Sequence, residues 1–187
     1  MSEGSTLDPP REATGFLRRV LRASLLDANV YEEVEADRGA TWQAALVVVL
    51  AAVAAGVGAI ANHGAAGILW YTGFAVIGWY VWALVACEIG TRLLPGPDTV
   101  ADHGELLRTI GFSSAPGMLR ILALAPAVAA PVFVVSTLWM LVAMVVAVRQ
   151  ALDYDSTWRA VAVCALGFPI YAIVLAVTLL LLGPWPI

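Results

Sequence analysis

The sequence of 187 residues has few charged residues, no lysine and only two cysteines. Charged residues make up 13 % of the chain, whereas a soluble domain typically contains about 25 %. Because 61 % of the residues are hydrophobic, the chain could not cover a water-exposed surface with polar groups. The composition therefore excludes an ordinary soluble domain and predicts that most of the surface faces lipid.

Other scarce features narrow the class further. All ten cations are arginines, which indicates a GC-rich genome more than a mechanism, and no basic tract suggests a nucleic-acid partner. Cys87 and Cys164 lie in apolar runs, so we expect them to pack as small side chains rather than form a disulfide. The first 40 residues are polar and lack the apolar core of a secretory signal peptide, so none is expected.

Common catalytic motifs are also missing. The sequence has no His-Glu-x-x-His, no phosphate-binding glycine loop and no nucleophile elbow. One loop contains oxygen and nitrogen donors that could form a weak divalent-metal site, although such side chains are usually just solvated. These donors are Asp98, Asp102, His103 and Glu105. We therefore expect a protein that is not an enzyme and holds no metal or cofactor.

Long uncharged runs predict the fold class. Gly39–Cys87, Ile121–Val148 and Ala160–Ile187 contain no charged residue, and each exceeds the roughly 20 residues that a bilayer-spanning helix needs. Divided at glycine and proline signals, the chain reads as an all-α integral membrane protein with five transmembrane helices. The predicted spans cover residues 44–62, 67–92, 114–131, 132–149 and 160–182.

The third span follows an irregular segment, GELLRTIGFSSAPGMLR, at residues 104–120. We expect this segment to be a cytoplasmic loop that turns into the third helix, with Arg120 just inside the helix. A serine cap and a proline in the first turn are typical of a helix start, and Pro126 and Pro131 mark the following turn region. The motif that would begin the helix consists of Gly111, Ser114 and Pro116.

The arginines orient these spans. With five spans, every arginine outside the membrane falls on one side: before the first span, between the second and third, and between the fourth and fifth. The positive-inside rule then places the N-terminus in the cytoplasm and the C-terminus outside. We therefore expect a multi-pass protein of the plasma (inner) membrane. A four-helix reading would scatter arginines over both faces.

Residues 1–13 are predicted to be disordered, and the segment GFLRRVLRASLLD that follows resembles an amphipathic helix. Apolar side chains recur at helical spacing and arginines occupy the remaining surface, as in a helix on the inner leaflet. The predicted membrane-surface residues are Phe16, Leu17, Arg18, Arg19, Val20, Leu21 and Arg22. The alternative is a helix docked on the protein's own cytoplasmic face. A second short helix is expected after Asn29, which with Glu32 resembles a capping box.

Glu88 is the only acid inside a predicted span. A charged group there is costly and usually paired, and Arg92 follows one turn later in the favourable order. We predict that Glu88 and Arg120 face each other inside the bundle, with Arg149 nearby. Two alternatives remain open: side chains that reach the headgroup level, and polar groups that line a proton or ion pathway.

Three segments resemble, in this order, the compact bacterial members of the Yip domain (Ypt-interacting protein) family. They are LLDANVYEEVEADRGATWQAALVV, GELLRTIGFSSAPGMLRIL and LWMLVAMVVAVRQALDYDSTWRA. The resemblance covers roughly residues 25–182 and implies a five-helix integral membrane protein with a cytosolic N-terminus. Eukaryotic relatives are implicated in vesicle traffic, partly through prenylated Rab GTPases, but we expect this chain to lack their long cytosolic N-terminal domain. The family offers no established catalytic residues to carry over.

Two functions follow as expectations. The first is a non-enzymatic membrane protein that organises or shapes the membrane or recruits partners at it. Its expected partners are the lipid bilayer and either further copies of itself or other membrane proteins. The second is an oligomeric channel, small transporter or lipid-handling protein that uses Glu88 and Arg120 inside the membrane.

Overall fold

The computed structural model describes residues 15–97 and 99–182. Every regular element within these ranges is helical, so the predicted all-α class is confirmed. Four helices in this part of the chain are long and apolar enough to cross a membrane, and they are Ala40–Gly58, Gly67–Leu93, Pro126–Ala151 and Thr157–Val174. The disorder predicted for residues 1–13 concerns a segment that lies outside the described residues. Asp98, one of the possible metal donors, also lies outside them.

The N-terminal region forms two short helices, α1 (Phe16–Ser24) and α2 (Ala28–Ala36). The second helix begins earlier than expected, because Asp27 rather than Asn29 is its N-cap. The Asp27 carboxylate accepts a hydrogen bond from the backbone N–H of Asn29 at 3.0 Å. Leu26 adopts a left-handed backbone with φ of 62° at the end of α1. Asp27 that follows is extended, which is the backbone geometry of an N-cap.

Helices α3 (Ala40–Gly58) and α4 (Ile60–Glu88) are the first two long helices, and α4 continues as a π-helical turn, Ile89–Leu93. The path of α4 breaks at Gly64, whose φ is +64°. Gly56 lies against the backbone of Ile68, where a Cβ on the glycine would come within 2.8 Å of Cα. Small residues on α3 thus allow α4 to approach closely, as small residues commonly do between membrane helices.

Residues 104–120 depart most from the sequence-based expectation. The expected cytoplasmic loop is instead helix α5 (His103–Ser113) and the first turns of a 3₁₀ helix (Ala115–Leu124). Residues Leu106–Ser113 are all buried. The loop prediction is therefore wrong, because packing against neighbouring helices covers a segment whose charges made it look solvated.

Helix α5 and the 3₁₀ helix lie alongside α3 and run in the same direction. Gly111 in α5 lies against Ala44, near the start of α3. Gly58, the last residue of α3, lies against the backbone carbonyl of Arg120 in the 3₁₀ helix. The two pieces therefore accompany α3 along most of its length.

The last two helices are α6 (Pro126–Ala151) and α7 (Thr157–Leu182). The predicted division between spans at 131 and 132 is wrong, because the break lies at Ala125 and Pro131 stands inside α6. Proline is tolerated at the first position of a helix, so Pro126 can begin α6. A second proline does not end the helix, since helices in membranes can satisfy the freed backbone groups locally.

Two groups of buried side chains hold the helices together. One includes Tyr31 and Phe112 and joins α1, α2, α3, α5 and α6. The other includes Trp82 and Leu152 and joins α4, α5, α6 and α7. The buried Tyr31 hydroxyl donates to the carbonyl of Ala23 at 3.1 Å. The N-terminal helices are therefore packed onto the bundle.

Candidate functional site

Helix α1 turns one of its arginines inward. Arg19 is only 4 % exposed, and its Nε donates to Oε1 of Glu33 at 2.9 Å. Its Nη1 donates to Oδ2 of Asp37 at 2.8 Å and to Oε1 of Gln43 at 3.2 Å. The prediction that this arginine occupies an exposed polar surface is therefore wrong, because Glu33 of α2, Asp37 at the end of α2 and Gln43 of α3 supply its partners.

Arg22 joins the same network from the next turn of α1. Its Nε lies 2.7 Å from Oδ2 of Asp27, and its Nη1 lies 2.8 Å from Oε2 of Glu33, which both arginines share. The hydrogen bond from Arg22 holds the pKa of Asp27 below its ordinary value. Burial alone would lower the pKa of Arg19, but its hydrogen bonds to Asp37 and Glu33 raise it above its ordinary value.

The opposite face of α1 is apolar and exposed. Leu17, Leu21 and Leu25 repeat every fourth residue and are 65–74 % exposed. Val20 and Phe16 instead pack towards the protein interior. Helix α1 therefore docks through its arginines and a few apolar side chains and presents a leucine face outward. We call Leu17, Leu21 and Leu25 the outer leucines.

Helix α1 also contacts the flank of a candidate membrane helix. The Trp139 Nε1–H of α6 donates to the backbone carbonyl of Ser24 at 2.8 Å. Along α6, Trp139 lies ten residues before Arg149, or about 15 Å at the helical rise. The C-terminal end of α1 therefore packs beside α6, well away from that helix's arginine-bearing end. No pattern in the sequence predicted this bond.

Arg108 fastens α2 to α5. The arginine is 5 % exposed, and its Nε donates to the carbonyls of Val34 at 3.0 Å and Glu35 at 2.9 Å. Carbonyls at a helix C-terminus lack intrahelical partners, so a cation there is well placed. Burial, which is the largest cause, and the nearby carboxylates of Asp153 and Glu105 together raise the pKa of Glu35 to about 7.

The predicted intramembrane pair is not formed. Glu88 bonds Arg92, with Oε2 and Nε 3.0 Å apart, and both side chains are exposed. Glu88 immediately precedes the turn that packs on the loop after α6, since Gly90 lies against Leu152. Arg120 is level with the last residue of α3 instead. The prediction that Glu88 and Arg120 lie at the same depth is wrong, because the chain already runs along the bundle as α5 before it reaches Arg120.

Arg120 contacts polar and aromatic groups of α6. Its Nε donates to Oγ of Ser136 at 3.1 Å, and its Nη2 donates to Oγ1 of Thr137 at 2.8 Å. The guanidinium also lies over the ring of Phe133, 5.5 Å from the centroid. These contacts distribute its charge over hydroxyl oxygens and an aromatic face.

Arg149 does not approach Arg120. Its Nε donates to the carbonyl of Tyr154 at 3.0 Å, and its Nη2 donates to that of Asp155 at 3.2 Å. The prediction that it joins a cluster with Glu88 is therefore wrong. Its donors instead hold the loop between α6 and α7.

The motif predicted to begin the third membrane helix lies at the junction of α5 and the 3₁₀ helix. Gly111 contacts α3, and Pro116 is fully buried. Ser114 makes no capping hydrogen bond with its side chain to any described residue. The predicted serine cap is wrong because Ser114 has a helical backbone, with φ of −77° and ψ of −9°, whereas an N-cap residue is extended.

Two of the possible metal donors cap a helix. The Glu105 backbone N–H donates to Oδ1 of Asp102 at 2.8 Å, and the Asp102 backbone N–H donates to Oε2 of Glu105 at the same distance. This reciprocal pair is a capping box. The two carboxylates therefore explain where α5 starts.

A cavity of about 190 Å³ lies between α3, α4, α5, the 3₁₀ helix, α6 and α7. Its walls are mainly apolar, and its polar lining includes Ser114, Arg120 and Tyr171. Trp82 also lines it, and the buried indole Nε1–H finds no hydrogen-bond acceptor among the residues that the structure describes. The sequence pointed to Arg120 but gave no indication of its association with Trp82 and Tyr171.

No family model, curated protein or solved structure is significantly similar to the chain. The class is defined by the helices themselves: four helices of this length and apolarity are those of a multi-pass membrane protein. The site adds two features to that class, the outer leucines on α1 and the cavity beside Arg120.

Proposed function

We propose that the chain is a non-enzymatic membrane protein of the Yip type that shapes or organises the membrane, or recruits partners at it. In this proposal it crosses a bacterial inner membrane five times, with a cytoplasmic N-terminus. Helix α1 lies in the inner leaflet, and its outer leucines contact lipid. The observation that carries the proposal is the orientation of α1, which binds the protein through Arg19 and Arg22 and leaves its leucines outward.

The fifth crossing is proposed for α5 together with the 3₁₀ helix. Eleven α-helical and ten 3₁₀ residues extend together to about 36 Å if nearly collinear. The hydrocarbon core is about 30 Å thick. The parallel path of this segment beside α3 supports the crossing, since α3 is itself a candidate span. This path also leaves the loops after α4 and α6 on the same side, with their arginines.

A cysteine-accessibility experiment distinguishes five crossings from four. Asp155 lies in the loop after α6, which is cytoplasmic with five crossings and external with four. We expect Asp155→Cys, in a background with Cys87→Ala and Cys164→Ala, to react with an impermeant maleimide in inverted vesicles but not in intact cells. Val100→Cys is the matched reference, because the loop after α4 is cytoplasmic in both schemes. Labelling of Asp155→Cys in intact cells would refute the fifth crossing.

The outer leucines give α1 a reason to enter lipid. Transferring a leucine side chain out of water stabilises it by about 2 kcal/mol. Each of the three outer leucines is 65–74 % exposed. The leucine face therefore contributes about 4 kcal/mol to membrane contact. A helix with one apolar face and a charged opposite face is the pattern of an interfacial helix.

The shaping function is tested with the full chain in proteoliposomes. We expect the wild-type protein to reduce vesicle diameter at increasing protein-to-lipid ratio, because α1 adds volume to one leaflet. Replacing all three outer leucines by serine should abolish the effect while the ion pairs with α2 remain. Val100→Ser is the control, since that exposed side chain lies outside α1. Equal vesicle diameters with and without the outer leucines would exclude shaping by α1.

The cavity beside Arg120 favours a second candidate, a channel, small transporter or lipid-handling protein. Glu88 no longer supports this candidate, since it pairs with Arg92 at another depth. Arg120 supports it because intramembrane cations often mark a substrate path. Flux of ions or labelled lipid through proteoliposomes, lost in Arg120→Gln and retained in Glu88→Gln, would favour this second function over membrane shaping.

A further inference from the structure

A groove of about 400 Å³ lies between α1, the 3₁₀ helix and α6. Helix α1 contributes Leu21 and Leu25 to its lining, the 3₁₀ helix contributes Leu119 and Leu122 among others, and α6 contributes Trp139. We call this space the α1 groove. It shares no lining residue with the interior cavity, so it is a separate feature of the molecule.

The lining of the α1 groove is almost entirely hydrocarbon. Ser24 and Trp139 are its two residues whose side chains carry an oxygen or a nitrogen atom. The Ser24 hydroxyl donates to the carbonyl of Val20 at 3.0 Å, and the Trp139 Nε1–H donates to the carbonyl of Ser24 at 2.8 Å. Both side-chain donors are therefore used within the protein, and no charged side chain is among the described residues of the lining. This lining suits an apolar ligand.

Trp139 places the α1 groove at the depth of the hydrocarbon core. It lies near the middle of α6 (Pro126–Ala151), thirteen residues after the first residue and twelve before the last. Helix α6 is a candidate membrane span. A space with apolar walls does not hold ordered water, and an empty space would forfeit the dispersion contacts of its walls. The α1 groove therefore needs an apolar occupant.

The size of the α1 groove favours an acyl chain over a helix. Benzene, a ring of six carbons, binds in an engineered cavity of about 150 Å³. On that scale a groove of about 400 Å³ holds roughly 16 carbon atoms, the length of a common acyl chain. A helix with its side chains is about 10 Å across and rises about 5.4 Å per turn. The same space would therefore hold only about one turn of a helix from a second copy.

We propose that the α1 groove binds one acyl chain of a phospholipid, and that this lipid is retained while the lipids around the rest of the bundle exchange. Leu21 and Leu25 are outer leucines that also line the groove, so the groove is continuous with the face of α1 that is proposed to contact lipid. The proposal rests on that position of α1 in the inner leaflet, but not on the shaping of the membrane. The headgroup is not selected, because the lining carries no charge.

Native mass spectrometry of the full chain tests the proposal. The protein is studied in an octyl-chain detergent and titrated with dipalmitoylphosphatidylcholine, and the affinity of each successive lipid is measured. We expect the first lipid to bind about tenfold more tightly than the second, since a gain of about ten dispersion contacts supplies that factor. Dipalmitoylphosphatidylglycerol should bind with the same first affinity, because it has the same chains.

Three results of this titration would overturn the proposal. Equal affinities of the first and second lipids would mean that no groove retains a chain. A first affinity that rises strongly with the anionic headgroup would place the site at the arginines of the protein. A lipid-free dimer as the main species would mean that a second copy covers the α1 groove.

Variants that fill the groove locate the site. Leu119→Trp enlarges a lining side chain, so the affinity of the first lipid should fall to that of the second. Leu141→Trp is the matched control, because Leu141 lies on α6 outside the lining and is 43 % exposed, whereas Leu119 is 41 % exposed. Equal affinities of the two variants for the first lipid would refute the assignment to the groove.

A second pair of variants decides the question even if Leu119→Trp does not fold. Leu122→Asn puts an amide into the lining, where a hydrocarbon chain cannot bond it, and should weaken the binding of the first lipid. Leu138→Asn changes an equally exposed leucine of α6 outside the lining and should leave that binding unchanged. Equal binding by Leu122→Asn and Leu138→Asn would contradict the proposal.

Failure of this site and failure of membrane shaping are distinguishable. Leu119→Trp keeps all three outer leucines, so in proteoliposomes it should still reduce vesicle diameter although it has lost the tightly bound lipid. Leu17→Ser changes an outer leucine that is not part of the lining and should keep the tightly bound lipid. A wild-type protein that binds the first lipid tightly but leaves vesicle diameter unchanged would support the groove and exclude shaping.

Discussion

Arg19 should determine whether α1 stays docked, and Arg19→Met tests this. The substitution keeps much of the side-chain length but removes the donors to Glu33, Asp37 and Gln43. Removing one partner of a buried ion pair costs about 3–5 kcal/mol. Glu33 and Asp37 are 28 % and 39 % exposed, so water can solvate them once the arginine is gone. We therefore expect a loss of about 2 kcal/mol in the docking free energy of α1.

Hydrogen exchange of the protein in nanodiscs measures this loss directly. A decrease of about 2 kcal/mol corresponds to roughly a 30-fold faster exchange for amides that open when α1 undocks. The effect should be concentrated in α1 and α2, since the hydrogen bonds of Arg19 go to Glu33, Asp37 and Gln43, near the cytoplasmic ends of α2 and α3 in the proposed topology. Arg18→Met is the control, because Arg18 is an exposed neighbour on the same helix.

The dependence of α1 docking on pH, in the acidic range, gives an independent check. The folded-state pKa values of Asp27 and Asp37 are lowered by hydrogen bonds from Arg22 and Arg19. Their contribution is therefore present above the ordinary aspartate pKa of 3.8 and is lost as the pH falls below it. Similar exchange rates for Arg19→Met and Arg18→Met at neutral pH would refute the assignment of Arg19 as the residue that docks α1.

Three further predictions concern other contacts. Glu35→Gln should stabilise the docking of α2 at pH 8 by about 2 kcal/mol and remove the pH dependence of this docking, as measured by hydrogen exchange. In the wild-type protein, the folded state raises the pKa of Glu35 to about 7. The folded carboxyl is therefore protonated first as the pH falls from 8 towards 5, and this protonation favours the folded state. Arg108→Met should destabilise that docking by about 2–3 kcal/mol, since two carbonyls lose a charged donor. Gly111→Ala should lower the resistance to unfolding by sodium dodecyl sulfate by about 1–3 kcal/mol, because the new Cβ would lie 2.6 Å from that of Ala44.

Each of these has a specific control. An unchanged pH profile in Glu35→Gln would mean that another group titrates near neutral pH. Arg38→Met, at an exposed position, should leave α2 protection unchanged, and an equal loss in both arginine variants would exclude a specific role of Arg108. Gly73→Ala is the matched glycine variant, since no described atom lies within 4 Å of the new Cβ. Equal stability of the two glycine variants would contradict close packing at Gly111.

Parts of the fold were predictable from local pattern. The uncharged runs predicted long helices because lipid excludes unpaired charge over the length of a span. The amphipathic segment at Phe16 predicted α1, since its periodicity is local to the helix. The error at α5 has an equally physical cause. Glu105 and Arg108 made the segment resemble a solvated loop, but one caps the helix and the other bonds α2.

The site was less predictable than the fold. The spacing of charges along the chain gave Glu88 and Arg92 correctly as neighbours, because a pair four residues apart on a helix needs no tertiary information. The partners of Arg120 could not be found this way. The depth of Arg120 in the bundle depends on how many residues of α5 lie beside α3. Its hydrogen-bond partners, Ser136 and Thr137, belong to a helix that starts after Arg120 in the chain.

The sequence by itself determined that the chain forms apolar helices long enough for a membrane and that α1 has two unlike faces. These properties follow from composition and from side chains a few residues apart, which the helical repeat brings to one face regardless of the neighbours. Only the tertiary structure decided that the arginines of α1 face α2, that Glu88 and Arg120 lie apart, and that Trp82 and Arg120 border one cavity. Each of these depends on side chains from different helices, and their meeting is set by packing, which no local pattern contains.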